Sequence, residues 1–206
     1  MKCSFLFNKG KDSHKSIYMV NFMHINLMLL EVTVMDFLQL AEERFSVRSF
    51  ADKEIEQEKI DAILRAAQVA PTACNLQPQK IMVINSKEAL EKYRKCTVCH
   101  FNAPLAILTC YDKSLCWTRE YDGKTSGDID SAIITTHMML EAANLGIGST
   151  WVMHFIPEAI RDEFQLPDNY EPVSLLAMGY PKEDVKPYPG HSSIKPLSDT
   201  VFYNKY

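Results

Sequence analysis

The segment Arg44-Phe45-Ser46-Val47-Arg48-Ser49-Phe50 places two guanidinium groups and a hydroxyl at alternate positions. In an extended chain alternate side chains share a side, so Arg44, Ser46 and Arg48 converge opposite Phe45 and Val47. Two permanently charged bidentate forks and a neutral donor suit a phosphate; an exposed polar edge is the competing reading. A second segment, Ala70-Pro71-Thr72-Ala73-Cys74-Asn75-Leu76-Gln77-Pro78-Gln79, precedes the apolar run Ile81-Met82-Val83-Ile84. It reads as a helix end, a polar loop pinned by two prolines, and a buried strand. Thr72, Asn75 and Gln77 offer donors and acceptors to a heterocycle edge or a polyol chain, or else they brace the loop.

The order Arg-x-Ser-x-Arg, helix, Ala-Pro-Thr-Ala-x-Asn-x-Gln-Pro resembles the nitroreductase family of FMN-dependent oxidoreductases. Glu141-Ala142-Ala143-Asn144-Leu145-Gly146-Ile147-Gly148-Ser149-Thr150-Trp151 is similar to that family's Leu-Gly-x-Gly segment, and Met178-Gly179-Tyr180-Pro181 to its closing strand and turn. The likeness runs from Met35 to Tyr206. It implies an α+β (α/β sandwich) fold, with a mixed sheet flanked by helices and a domain-swapped style of homodimer holding two FMN sites at its interface. It further implies that Arg44, Ser46 and Arg48 hold the phosphate and ribityl region. Pro71, Thr72, Ala73, Asn75 and Gln77 would reach the flavin of the other subunit. Trp151, Val152, Met153 and His154 would pass the isoalloxazine, and Asp130 would lie near its pyrimidine edge. The alternatives are plain core for Trp151 and Met153 and a first-turn acid complementing the helix dipole for Asp130. One departure stands out. The family commonly has a basic residue two positions before a C-terminal proline, where Ser193-Ile194-Lys195-Pro196 offers Ile194; Lys195 and His191 are the candidate replacements.

The implied chemistry is hydride transfer from NADH or NADPH through flavin N5 to a small acceptor, such as a nitroaromatic or a quinone, with ping-pong kinetics. The flavin carries that chemistry, so no catalytic side chain is assigned. A dehalogenating branch of the same family is an alternative.

Composition agrees with one globular domain that has a sizeable core. The 206 residues are 47% hydrophobic and 23% charged, with a net charge of −4. Residues 1–35 hold four lysines against Asp12 and Glu31, leaving residues 36–206 at a net of −6. That argues against a nucleic-acid surface. Any phosphate site must be a local feature.

Ile17–Leu30 follows Lys9, Lys11 and Lys15 like a signal peptide, but Asn21, His24 and Asn26 interrupt it and no small-residue cleavage site follows. The run is also too short to span a membrane. The expectation is an unstructured or mis-assigned extension over 1–34, a domain over 35–206, and a cytoplasmic protein. The six cysteines are too sparse for a disulfide scaffold.

Cys96-Thr97-Val98-Cys99-His100 matches the c-type haem attachment pattern, and two further ligands would make a zinc site. Neither context is visible. A Cys96/Cys99 dithiol supports a second hypothesis, a non-catalytic flavin-binding or thiol redox sensor.

Periodicity predicts helices over 36–43, 57–70, 86–95, 126–145 and 157–164. It predicts strands over 81–85, 104–111, 149–153 and 172–178. The 126–145 helix is apolar nearly all round, which marks it as buried. There is no Gly-x-Gly-x-x-Gly after the first strand, so a Rossmann nucleotide site is not supported.

Overall fold

The computed structural model describes residues 36–206. The proposed extension over 1–34 and the start at Met35 lie outside the described residues. Among the described residues five α-helices are present: α1 (Phe37–Glu43), α2 (Gln57–Val69), α3 (Lys87–Cys96), α4 (Gly127–Asn144) and α5 (Pro157–Phe164). Four strands join them: β1 (Gln79–Ile84), β2 (Leu105–Asp112), β3 (Gly148–Val152) and β4 (Tyr170–Gly179).

Local chemistry sets several boundaries. Ser86 caps α3 by accepting from the Ala89 N–H. At the other end of α4, Gly146 adopts φ +74°. Its N–H donates to the Ala143 carbonyl, and that of Ile147 donates to Ala142. This Schellman arrangement needs a residue tolerant of the left-handed region. The chain then turns straight into β3.

The sheet order is β1-β2-β4-β3, and every named pair is antiparallel. Among the described residues, the parallel component expected of a mixed sheet is confined to one bridge between Ser46 and Ser149. It draws the 44–50 segment against the outer edge of β3, where the Val47 N–H donates to the Ser149 carbonyl at 3.0 Å. Pro172 lies inside β4 because the register shifts between Thr109 and Cys110, directly opposite it. An irregularity of this kind tolerates the missing donor.

All eight residues of β2 are buried, which is why its sequence opens on the apolar run Leu105–Leu108 and is apolar on both faces. Leu105 and Ile107 pack on one face with Ile60, Ile63 and Ala67 of α2 and Ile134, Met138 and Ala142 of α4. Ala106, Leu108 and Cys110 pack on the other with Leu90, Tyr93 and Cys96 of α3 and Ile160 of α5. Helices therefore cover both faces, as an α/β sandwich requires. No helix among the described residues is long and apolar enough to cross a membrane.

Candidate functional site

Ser46 and Arg48 line an open cleft of about 550 Å³ with Phe45, Tyr188, Gly190 and His191. The alternation expected of this segment holds at its centre. Val47 is buried among Phe50, Ala103 and Ala177, while Arg48 is exposed and donates to the Ser46 carbonyl at 3.3 Å. Arg44 follows α1, its N–H donating to the Leu40 carbonyl, with its side chain half-buried. His191 packs edge-on against Phe45 and lies 3.2 Å from the Glu42 carbonyl through Nε2. His191 thus joins the cleft, whereas Lys195 stands exposed outside its lining.

Ser149, the bridge partner of Ser46, was not among the residues singled out from sequence. Its hydroxyl is buried without a hydrogen-bond partner, an unusual state for a native polar group. The signal available was its place directly after the Gly148 turn. A side chain at Gly148 would come within 2.7 Å of Val47 Cγ2, so glycine permits the close approach of the 44–50 segment.

β3 carries Trp151 half-buried and Val152 buried, and the chain leaves it with Met153 and His154 exposed. The His154 carbonyl accepts from the Thr97 hydroxyl. Along the strand, His154 lies roughly 16 Å from Ser149.

The 71–77 loop is a separate structure. Cys74, Asn75 and Gln77 all have positive φ, between 50° and 54°. Three left-handed non-glycine residues in so short a span store on the order of 1 kcal/mol each. Thr72 offsets this by accepting from the Asn75 N–H with its carbonyl and from the Gln77 N–H with its hydroxyl, at 2.9 and 3.1 Å. Pro71 is exposed, and the Gln77 amide turns back onto Asn75.

Asp130 supplies the outer anchor. Its Oδ1 accepts from the Ala73 N–H at 2.9 Å and its Oδ2 from the Ser126 hydroxyl at 2.7 Å. The residue is 2% exposed. Asp130 therefore latches the loop to α4 instead of presenting a free carboxylate.

The two groups do not meet within one chain. Ser46 sits beyond the β3 edge, level with Met178 and Leu105. The loop enters β1, the opposite edge, at Gln79, level with Tyr111. Four strand spacings across and about six residues along separate them by on the order of 25 Å.

The Cys-x-x-Cys-His segment does not form an exposed dithiol. Cys96 is fully buried, donates its thiol to the Lys92 carbonyl at 3.3 Å, and is pushed up to about 11 by burial. A buried thiol held protonated is a poor nucleophile. His100 Nδ1 instead accepts from the Asn102 N–H at 3.0 Å. The polar 117–127 segment closes on itself through a Thr118–Thr125 bridge and an Arg119–Asp122 ion pair.

Fold and cleft together define an α+β sandwich with a cation- and hydroxyl-lined edge site. The nitroreductase family model matches residues 41–109 and 101–180, and the chain belongs to that family. The structure superposes at TM-score 0.79 and 46% identity on a nitroreductase family protein from Clostridium difficile 630, over 84% of this chain and 100% of that one. An FMN-dependent nitroreductase from Clostridium difficile R20291 superposes at TM-score 0.67 and 29% identity, over 81% and 98% of the two chains. In sequence the chain is 31% identical over 166 residues to a protein of Methanothermobacter thermautotrophicus named "Putative NADH dehydrogenase/NAD(P)H nitroreductase", covering 75% of this chain and 82% of the relative.

Proposed function

We propose that this chain is an FMN-dependent NAD(P)H oxidoreductase acting on a small acceptor such as a nitroaromatic or a quinone, with reductant and acceptor alternating in one pocket. The observation that carries this reading is the Ser46–Ser149 edge. There the Ser46 hydroxyl and the exposed Arg48 fork line one cleft in a nitroreductase family chain, on a segment that Gly148 lets approach β3. These groups fit FMN: the Arg48 fork matches a phosphate bidentately, and the Ser46 hydroxyl adds a neutral donor.

Arg44, Ser46 and Arg48 would hold the phosphate and ribityl region, with His191 in the place of the missing C-terminal basic contact. Trp151, Val152, Met153 and His154 would line the flavin ring. When bound, FMN supplies the chemistry that accepts hydride from NAD(P)H and returns it to the acceptor. The chain's part is to bind, orient and exclude water.

The loop of Pro71, Thr72, Ala73, Asn75 and Gln77 lies too far away to serve the same chain's cleft, so a second copy would supply it. Asp130 then acts by positioning that loop. The C-terminal tail supports a homodimer: Ile194, Leu197, Phe202, Tyr203 and Tyr206 are all exposed apolar side chains, a surface a partner would cover. Five free thiols among the described residues suit a reducing cytoplasm.

The test is the visible spectrum of the purified protein before and after anaerobic NADH or NADPH. Flavin absorbance that bleaches is the expected result. A colourless protein that takes up no added FMN overturns the reading.

A further inference from the structure

A larger cleft of about 830 Å³ opens at the Leu105 end of the sheet. It shares no lining residue with the cleft at Ser46 and Arg48. Its floor is apolar, made by Phe50, Ile55, Ile60, Leu90 and Leu105. Its rim carries Lys53, Lys87, Arg94 and Lys182, with Asn85 and Asn102 between them, against Asp52 and Glu54. Four cations facing two carboxylates give this cleft a positive balance within a region whose net charge is −6.

The cations come from four places in the fold: the loop before α2, the start of α3, the end of α3, and the turn after β4. Among the described residues Lys87, Arg94 and Lys182 enter no ion pair, although the chain has carboxylates in excess. Lys53 is held in place, paired with Glu56 at 3.4 Å and lying 3.8 Å over the Tyr180 ring. The volume falls in the range of small-molecule pockets, and a desolvated floor beneath convergent charges is the usual make-up of such sites.

We propose that this cleft is a second ligand site, separate from the cofactor cleft, which takes an organic phosphate: an anionic head on the Lys87, Arg94 and Lys182 rim and an apolar or aromatic body on the Phe50, Ile60 and Leu90 floor. The two asparagine amides add hydrogen bonds to polar edges of that body. The site stands whether or not the cofactor reading holds.

The test is calorimetric titration of the full chain as purified, with no free FMN present, with 1-naphthyl phosphate, 1-naphthol and inorganic phosphate as probes. The expected result is saturable binding of one naphthyl phosphate per chain, at least tenfold tighter than either the neutral naphthol or inorganic phosphate. The Lys87→Gln/Arg94→Gln double variant and the separate Lys182→Gln variant should each weaken it several-fold. Both act on exposed side chains and should leave the thermal unfolding midpoint unchanged, so a loss of binding is not a loss of fold. No saturable binding overturns the proposal. So does equal binding of the naphthol, or binding that neither variant alters.

Discussion

Replacing Asp130 tests how the 71–77 loop is held. In Asp130→Ala the Ala73 N–H and the Ser126 hydroxyl lose their acceptors, which now sit at 2.9 and 2.7 Å. Hydrogen bonds to a charged group contribute about 1.5–3 kcal/mol each. Ala73 is half-buried and regains water once the loop opens, so the pair should cost about 2–4 kcal/mol. The loss falls first on the loop, because Cys74, Asn75 and Gln77 already hold strained backbone. Asp130→Asn keeps one acceptor oxygen and should cost about half as much. Amide hydrogen exchange is the assay. At about 1.4 kcal/mol per tenfold, exchange at Ala73 should quicken by about 30-fold or more in Asp130→Ala and less in Asp130→Asn, while the β2 amides keep their protection. An unchanged rate at Ala73 in a folded Asp130→Ala protein would refute the latch.

Three further outcomes follow from the geometry. Gly148→Ala brings a methyl within 2.7 Å of Val47 and 3.0 Å of Pro181; overpacking of this kind costs about 1–3 kcal/mol, and FMN stoichiometry should fall although no ligand-facing group has changed. The Tyr180 hydroxyl holds the Glu56 carboxyl down at about 2, so its stabilisation is complete above the ordinary value of 4.5 and is lost as pH falls toward 2; acid denaturation of Tyr180→Phe should show a flatter limb across that window. Among the thiols of the described residues, labelling at pH 8 should modify exposed Cys74 first, while Cys96 and Cys110, pushed by burial up to about 11 and 12, react only on unfolding. Saturating FMN should slow the labelling of Cys74 if its loop covers the flavin.

Features governed by neighbours in sequence were legible from sequence. The Ser86 cap, the stop at Gly146 and the double-sided burial of β2 are each written in a few adjacent residues. So was the alternation of Ser46, Val47 and Arg48, with Val47 buried and Arg48 exposed. Strand ends were less legible: β1 begins at Gln79, two residues earlier than its apolar run, because pairing with Tyr111 carries it on. Contacts between distant segments were invisible. Asp130 grips Ala73 across 57 positions, and nothing local in either segment announces it. The parallel contact of Ser46 with Ser149 rests on a single bridge, too short to leave a periodic pattern. Lys195 and His191 were both candidates for the C-terminal contact, and sequence could not choose between them; His191 lines the cleft and Lys195 does not.

On the proposed reading, two copies of the chain together build each FMN site, one giving Arg48 and the other the Thr72–Gln77 loop. Subunit mixing tests it most directly. Homodimers of Arg48→Ala and of an Asn75→Ala/Gln77→Ala loop variant are each prepared without bound FMN, then dissociated and re-formed together. The account predicts about one FMN per mixed dimer, since one of its two sites regains an intact Arg48 and an intact loop. A mixed dimer that binds no FMN would mean that each chain must supply both parts itself, and would contradict the account.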